Sequence, residues 1–303
     1  MAKVICSSDE SLYRPEVVRW RERMALLKPL GEVVVVLPCS MKKPYSNSKS
    51  HQIFKKASRK VQEVILTSPF GICPREMENT YPIQSYDVAV SGKWSNEEKK
   101  LAGKLLNQYL DGKDIIAHVS GGYEKVCQEY LDGAIYTCVD GKTTSPDSIY
   151  NLRMELKKYS TIKRREKVLN GLKSVAIYQF GENGHEFIDN DTIAKGKYHK
   201  KIIRNKNQIA ILNNDRGFYS LTLKGGEILN DLGINIVEID FELSTNTVFA
   251  PGINSADSNI LPNDEVVVVR NGEVLGVGKA ILSGKEMELA TKGIGVKIRH
   301  RKK

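Results

Sequence analysis

The sequence predicts an α/β core with a mostly parallel sheet, followed by a small α+β domain and a C-terminal β-barrel. Before about residue 160, β-branched runs alternate with segments of helical periodicity, an order typical of parallel sheets. After it, short apolar runs are separated by glycine, asparagine and aspartate, as in strands joined by turns. A chain of 303 residues exceeds the usual size of one domain. We therefore expect three modules, over residues 1–160, 161–238 and 239–303.

The first module begins with a strand, a loop and a helix. Residues 32–37 read Glu-Val-Val-Val-Val-Leu, a β-branched run short enough to be a buried strand, and Pro38 ends it. Between residues 51 and 65, apolar side chains recur at helical spacing, which predicts one helix there. These apolar positions are Ile53, Phe54, Ala57, Val61, Val64 and Ile65.

Helix caps mark the later elements of this module. Ser95 and Glu98 form a capping box, and the helix after them is expected to stop near Asp111. Ser145, with Pro146 at the first helical position, predicts a further helix. The strand, helix and strand between these two helices are expected over residues 115–119, 123–131 and 135–139.

Beyond residue 160 the sequence predicts six short strands, first with and then without helices between them. They are expected over residues 175–180, 208–212, 218–223, 236–239, 265–269 and 274–277.

Charge and composition narrow the class of protein. Lysine and arginine exceed aspartate and glutamate by 46 to 36, a net charge of +10. Residues 150–206 hold 14 of these bases and six of the acids, so most of the surplus forms one patch, for which phosphate is the favoured partner. No apolar run approaches the ~20 residues of a membrane span and no signal segment is recognisable, so a cytoplasmic protein without a membrane partner is expected. Five scattered cysteines predict neither a disulfide framework nor a zinc site, and no cofactor motif is complete.

The C-terminal segment resembles a known RNA-binding module. The stretches Val248–Ile253, Ile260–Glu265, Gly276–Gly278 and Gly293–Arg299 follow one another in the order of a PUA domain, over about residues 239–303. The resemblance implies RNA binding, for which the basic residues at the end of the chain would neutralise phosphates. These are Lys297, Arg299 and Arg301 among a run that ends in Lys303. A small barrel without a ligand is the competing interpretation.

The segment upstream resembles the domain that precedes PUA in archaeal tRNA-guanine transglycosylases. The resemblance is carried by Tyr178–Gly181, Gly217–Leu223 and Gly225–Leu229. It implies that the RNA is tRNA. Further RNA-binding candidates in the basic patch are Lys163, Arg164, Arg165, Lys200 and Lys201.

The loop after the first predicted strand carries the densest chemistry. Residues Pro38–His51 read P-C-x3-K-P-Y-x2-S-x2-H, at the carboxyl end of a strand, where open α/β sheets bind ligands. This motif resembles the signature of the archaeosine synthase family, and all its positions are filled. Later positions also resemble that family, and together with the two C-terminal modules the resemblance covers nearly the whole chain from about residue 30. They are Pro69, Pro74, Glu76, Tyr81-Pro82, Tyr86-Asp87 and Gly92-Lys93-Trp94.

The family resemblance implies a reaction on tRNA that already carries 7-cyano-7-deazaguanine in its D-loop. An amine, with free lysine as the donor, adds to the nitrile and gives an amidine, from which a radical-SAM partner releases archaeosine. Larger members carry an additional degenerate transglycosylase-like region for which this chain has no room, so base exchange by this chain alone is not expected. The oligomeric state is left open, a homodimer included.

Each residue of the loop has a catalytic and a structural interpretation. We expect the Cys39 thiolate to add to the nitrile and the amine to displace it, while His51 or Tyr45 transfers protons and Lys43 supplies positive charge. Alternatively, Cys39 is a small buried side chain, His51 bonds a backbone carbonyl, Lys43 faces solvent or phosphate, and Tyr45 only packs. Ser48 is compatible with a site role and with capping the following helix.

Three residues outside the loop are candidates for substrate binding. Asp87 is expected to read the deazaguanine edge or to hold the ammonium of lysine, although such an aspartate is often a turn former. Trp94 would stack on a base or belong to the core. Glu76 is a candidate through the family resemblance. The rival function is a non-catalytic tRNA-binding subunit of a split tRNA-guanine transglycosylase.

Overall fold

The computed structural model describes residues 4–6, 9–58, 60–87 and 93–302. The chain divides into two compact units, Met1–Ser174 and Val175–Lys303. The boundary falls within a helix, and the three-module division remains a prediction. Among the described residues, no helix combines the length and the apolar character that crossing a membrane requires.

Helices and short strands alternate in the first unit. Its elements are β1 (Val4–Ile5), α1 (Pro15–Met24), β2 (Val33–Pro38), α2 (Lys49–Ser58), β3 (Gln62–Thr67), β4 (Gly71–Pro74), β5 (Tyr86–Asp87), α3 (Asn96–Tyr109), β6 (Asp114–Ala117), α4 (Gly122–Tyr130), β7 (Ile135–Tyr136), α5 (Pro146–Leu156) and the start of α6 (Arg164–Phe180).

A five-stranded sheet forms the centre of this unit, in the order β4-β3-β2-β6-β7. β2 pairs in parallel with β3 and β6, and β6 pairs in parallel with β7, whereas β4 is antiparallel to β3. The four valines of β2 are almost fully buried because the central strand of a parallel sheet is covered on both faces. The predicted α/β core with a mostly parallel sheet is confirmed.

The helix predicted over residues 51–65 is wrong in its second half. α2 ends at Ser58, and Gln62–Thr67 is the buried strand β3, which pairs with β2 from Val34↔Gln62 to Pro38↔Leu66. The apolar spacing fits a helix, but a strand buried on both faces has no alternation to distinguish it from one. The parallel pairing of this segment with β2 shows that it is a strand.

The predicted helix starts are confirmed by their caps. Ser95 and Glu98 form the capping box of α3, and the Ser145 side chain accepts a hydrogen bond from Ser148 N at the start of α5. The strand predicted over residues 135–139 is shorter, since β7 contains Ile135 and Tyr136 alone.

The second unit begins with the end of α6 and continues with two sheets and two further helices. Its elements are β8 (Ile193–Lys195), β9 (Lys200–Arg204), β10 (Asn207–Asn213), β11 (Phe218–Leu221), α7 (Leu223–Asp231), β12 (Ile236–Ile239), β13 (Thr247–Phe249), β14 (Ile253–Ala256), β15 (Glu265–Arg270), β16 (Glu273–Ala280), α8 (Gly284–Leu289) and β17 (Ile294–Arg301). β8 to β11 form an antiparallel sheet. β12 to β17 form a six-stranded sheet, in the order β13-β17-β16-β15-β12-β14, that curls into the half-barrel of the predicted C-terminal module.

The strand predicted over residues 175–180 is wrong, because these residues complete α6. Leu172, Val175, Ala176 and Phe180 are buried at spacings of three and four residues, as a helix requires. The strand predicted over residues 218–223 is shorter in the structure: β11 ends at Leu221, and α7 begins at Leu223.

Candidate active site

The candidate site is built at the carboxyl end of β2. Cys39 directly follows this strand, and its side chain is 8% exposed. The chain then turns through a short 3-10 helix and enters α2 at Ser48, whose hydroxyl accepts a hydrogen bond from His51 N at 3.2 Å. Ser48 therefore caps α2, the structural role that the sequence allowed for it.

Among the described residues, four polar side-chain groups lie within 4 Å of the Cys39 sulfur. They are Tyr86 Oη at 3.3 Å, Thr67 Oγ1 at 3.4 Å, Lys43 Nζ at 3.7 Å and Tyr45 Oη at 3.9 Å. Tyr123, from α4, is also close enough to this thiol for the two groups to interact electrostatically. A thiol in such surroundings differs from a small apolar core residue, because hydroxyl and ammonium donors face the sulfur from several elements.

The two tyrosines of this cluster are connected to each other. Tyr45 and Tyr86 are almost fully buried, and their hydroxyl oxygens lie 2.6 Å apart, while Thr67 Oγ1 bonds the Tyr86 hydroxyl. Burial, with the nearby Cys39 as the next cause, raises the pKa of both phenols well above the ordinary value. Both phenols therefore stay protonated at neutral pH and can act as hydrogen-bond donors.

Lys43 brings a positive charge to the thiol from within its own loop. Its ammonium lies 4.3 Å from the centre of the Tyr86 ring and 5.2 Å from that of Tyr45. Hydrogen bonds to the carbonyls of Ser40 and Met41 fix its direction. Burial lowers the pKa of Lys43, and the neighbouring Cys39 opposes that shift. The side chain faces the sulfur and two aromatic rings rather than open solvent.

His51 is fully buried with both ring nitrogens engaged. Arg75 Nη2 lies 2.9 Å from His51 Nδ1, and a guanidinium can only donate, so Nδ1 accepts. The proton is therefore on Nε2, which donates to the Pro38 carbonyl at 3.0 Å. The ring thus holds the backbone directly before Cys39, and among the described contacts it does not touch the sulfur.

The buried His51 predicts a pH-dependent stability. Burial, with Arg75 as the next cause, lowers its pKa from 6.5 to about 3. Between these values the unfolded chain binds a proton that the folded protein excludes, so stability falls as pH falls below about 6.5. We expect the wild type to lose about 2 kcal/mol more than His51→Gln between about pH 7 and pH 5.

Denaturant unfolding followed by tryptophan fluorescence measures this difference. The two tryptophans, Trp20 and Trp94, both belong to the first unit, so the signal reports that unit. Glutamine keeps a donor and an acceptor but does not titrate. Equal pH dependence in the two proteins would mean that the His51 ring is not held neutral.

Glu76 lies in a different environment from the thiol. Its carboxylate accepts hydrogen bonds from Gln62 Nε2 at 2.7 Å and from Asn170 Nδ2 at 2.8 Å, and burial raises its pKa. The glutamate that contacts the loop is instead Glu78, which accepts a hydrogen bond from Ser46 N at 2.8 Å and one from the Ser46 hydroxyl. Glu78 was not predicted.

Asp87 and Trp94 are each adjacent to a residue of the thiol cluster. Asp87 follows Tyr86 in β5, and its charge acts on the Lys43 ammonium. Trp94 packs edge-on against Tyr123, with ring centroids 5.3 Å apart, and is partly exposed. Gly92, between the two in the family pattern, lies outside the described residues.

The predicted RNA-binding residues fall into two groups. In the first group the residues are exposed. They are Lys163, Arg164, Arg165, Lys200, Lys201 and Lys297. Arg299 instead makes two hydrogen bonds with the buried Glu265, and Arg301 bonds the carbonyls of Leu243 and Ser244. These two arginines stabilise the second unit, whatever they contribute to RNA. Lys303 lies outside the described residues.

Three residues of the thiol cluster escaped the sequence analysis. Tyr86 appeared in a family pattern beside Asp87, but only the aspartate was given a role. Thr67 stands at the end of β3, just past the segment that was taken for a helix. Tyr123 was a helix-start residue without any motif, and only the fold brings it to Cys39.

Three family models match the chain. The Domain of unknown function (DUF5591) matches residues 17–156. The Patch-forming domain C2 of tRNA-guanine transglycosylase matches residues 170–233, and the PUA domain matches residues 233–302. The predicted resemblance of the second half to a PUA domain and the domain before it is confirmed.

Curated relatives and a solved structure match nearly the whole chain. The archaeosine synthase of Methanocaldococcus jannaschii is 37% identical over 98% of this chain and 54% of its own length. The archaeosine synthase subunit alpha of Methanosarcina acetivorans is 37% identical over 100% of this chain and 52% of its own. A crystal structure of AF0587, a protein of unknown function, is 28% identical with a TM-score of 0.75, over 94% of this chain and 100% of that one.

The chain spans about half the length of the curated relatives it matches. Within that half, the alignment includes the α/β unit with its Cys39 loop as well as the C2 and PUA domains. The chain is therefore a homologue of the archaeosine synthases over nearly its whole length.

Proposed function

We propose that this chain is an archaeosine-forming tRNA modification enzyme that adds an amine to the nitrile of 7-cyano-7-deazaguanine in the tRNA D-loop. The observation that carries the proposal is the Cys39 thiol, surrounded by an ammonium and hydroxyl donors at the end of β2. The names of the relatives and the C2 and PUA matches support tRNA as the substrate. Free lysine as the amine donor rests on the family resemblance.

In the first step the Cys39 sulfur forms a bond to the nitrile carbon. One π pair of the nitrile moves to its nitrogen, which takes up a proton from the phenol pair. The phenol pair takes up the proton lost by the thiol, and a thioimidate results. Tyr86 and Tyr45 hold protonated phenols against the sulfur and are the donors we assign to that nitrogen. Lys43 stabilises the thiolate as it forms and again as it leaves.

In the second step the lysine amine attacks the same carbon. A carbon–nitrogen bond forms, the carbon–sulfur bond breaks, and the proton lost by the amine passes through the phenol pair to the departing sulfur. The products are the amidine and the free thiol, with no net oxidation or reduction. We assign to Asp87 the binding of the ammonium group of the incoming lysine, because the charge of Asp87 already acts on Lys43 next to the thiol.

His51 has a positioning role in this proposal rather than a proton-transfer role. Both of its nitrogens are occupied, and its low pKa makes it a poor acceptor of another proton. We therefore assign proton transfer to the two tyrosines instead. His51 holds the Pro38 carbonyl in place, which fixes the orientation of the Cys39 side chain.

The reaction proposed here needs the modified base to leave its stacked position in the tRNA elbow, because Cys39 is only 8% exposed. Release of archaeosine from the amidine is assigned to a separate radical-SAM partner. The name of the Methanosarcina relative, a subunit alpha, supports a second protein in the pathway.

Incubating the full chain with cyano-deazaguanine tRNA and labelled lysine tests the proposal. We expect label in the RNA without any second protein, and none when the tRNA carries guanine at that position. Tight tRNA binding without label would instead identify the chain as a tRNA-binding subunit that delivers substrate to another enzyme.

A further inference from the structure

A basic groove lies on the first unit, away from the Cys39 cluster. It consists of two adjoining cavities, of about 480 and 370 Å³, that share Lys60. The last turn of α2, the end of α5 and the start of α6 form its walls. Six basic side chains line it, namely Lys56, Lys60, Arg153, Lys157, Arg164 and Lys167.

Among the residues that the structure describes, no carboxylate lines either cavity, although the charges of Glu63 and Glu76 act on the partly buried Lys167. Among the described residues, Lys56, Lys60, Arg153 and Arg164 make no ion pair, whereas Lys158, on the adjacent surface, pairs with Glu155. Clustered cations without carboxylates repel one another, and an anion in the groove removes that repulsion.

The walls of the groove are held together by defined contacts. Ile162 N donates to the Lys60 carbonyl at 2.9 Å, which places Lys60 beside the start of α6. Lys167 is partly buried and donates to the Val61 carbonyl. The basic side chains therefore project from a fixed backbone rather than from an isolated loop.

Lys56 and Arg153 have another explanation, since a cation in the last turn of a helix offsets the negative end of the helix dipole, and they lie in the last turns of α2 and α5. Lys60 lies outside both helices and Arg164 lies at the start of α6, so the dipole does not account for these two.

The groove and the thiol stand at opposite ends of the same helix. α2 begins at Lys49, directly after Ser48 of the Cys39 loop, and ends at Ser58, in the groove wall. A helix of ten residues is about 15 Å long, a span of a few nucleotides.

We propose that this groove binds backbone phosphates of the tRNA next to the modified nucleotide. The proposal rests on the proposed function for the identity of the RNA. It adds a phosphate-binding surface to the unit that carries the thiol, in addition to that of the C2 and PUA domains. A concave row of cations fits the phosphate backbone of an RNA strand, whereas a flat membrane surface would contact only the rim of the groove.

The test compares two pairs of lysine substitutions in the full chain. Lys56→Gln with Lys60→Gln removes two groove charges. Lys100→Gln with Lys104→Gln removes two exposed charges on α3, matched in residue type, four-residue spacing and net charge. Binding of unmodified tRNA is measured across a salt series, without lysine, and tryptophan fluorescence checks that each variant is folded.

We expect the groove pair to weaken tRNA binding about tenfold or more at low salt. The slope of log affinity against log salt should become shallower by roughly 1.4 to 1.8, the value for two lost phosphate contacts. The α3 pair should keep the wild-type slope. Equal slopes in the two pairs would overturn the proposal, because only net charge would then matter.

Two further outcomes separate this proposal from others. If the groove pair loses binding to vesicles of anionic phospholipid but keeps the wild-type tRNA slope, the groove binds lipid and the proposal is wrong. The binding assay does not depend on catalysis. If the groove pair weakens tRNA binding as expected but the wild type incorporates no lysine, the groove proposal holds and the proposed enzyme activity is wrong. If the wild type incorporates lysine but the groove pair binds tRNA with the wild-type slope, the enzyme proposal holds and the groove proposal is wrong.

Discussion

Cys39→Ser is expected to keep the fold and to lose amidine formation by on the order of 10³-fold or more. The serine hydroxyl can take over the hydrogen bonds from Tyr86 and Thr67, so the cluster should persist. A hydroxyl, however, needs a general base to become a nucleophile, whereas a thiol does not depend on one to the same degree. The nearest histidine, His51, already uses its accepting nitrogen for Arg75.

Incorporation of labelled lysine into cyano-deazaguanine tRNA measures the loss. Cys138→Ser is the matched control, because Cys138 is partly exposed and bonds Ser148 far from the loop in sequence. It should retain the wild-type rate. In a reaction without lysine, the wild type should accumulate a protein–tRNA adduct that denaturing electrophoresis detects and that Cys39→Ser lacks. A serine variant with wild-type incorporation would exclude the thioimidate.

The loop could be predicted from the sequence because its members are neighbours in the chain. Cys39, Lys43 and Tyr45 lie within seven residues that leave the end of one strand, and any compact turn there brings them together. The strand itself was evident from its β-branched run. This part of the site needed no knowledge of the tertiary structure.

The partners from other strands could not be predicted in the same way. Tyr86 and Thr67 reach the sulfur from β5 and from the end of β3, and their approach depends on strand order. The spacing of Val61, Val64 and Ile65 is compatible with a helix and with a strand buried on both faces. Only the pairing of β3 with β2 distinguishes the two.

Buried charge was a second limit of the sequence analysis. Glu63, Arg75 and Glu78 look like ordinary surface charges, since nothing in their spacing distinguishes them. In the structure they form an ion-pair network that ends on His51. The polarity of this segment therefore did not indicate that it is buried. For the same reason the sequence analysis expected His51 to transfer protons, whereas we now propose that it positions the backbone.

Arg75→Met is expected to destabilise the first unit by about 3–5 kcal/mol at neutral pH. The arginine side chain is 13% exposed, and those of its partners Glu63 and Glu78 are 3% and 6% exposed. Methionine fills much of the same volume but removes the positive charge, so two buried carboxylates and His51 Nδ1 lose their partner. An uncompensated buried charge costs more than the lost pair itself contributes.

Lys158→Met is the matched control for this effect. Lys158 also forms an ion pair three residues apart in the first unit, with Glu155, but its side chain is 65% exposed and solvent screens the pair. Its loss should cost less than about 1 kcal/mol. Denaturant unfolding followed by tryptophan fluorescence reports the first unit in both variants, because Trp20 and Trp94 both lie there. Equal losses would mean that water reaches the Glu63–Arg75–Glu78 network. The buried His51, and the Pro38 carbonyl that it holds before Cys39, would then lack the rigid support on which the proposed direction of the thiol depends.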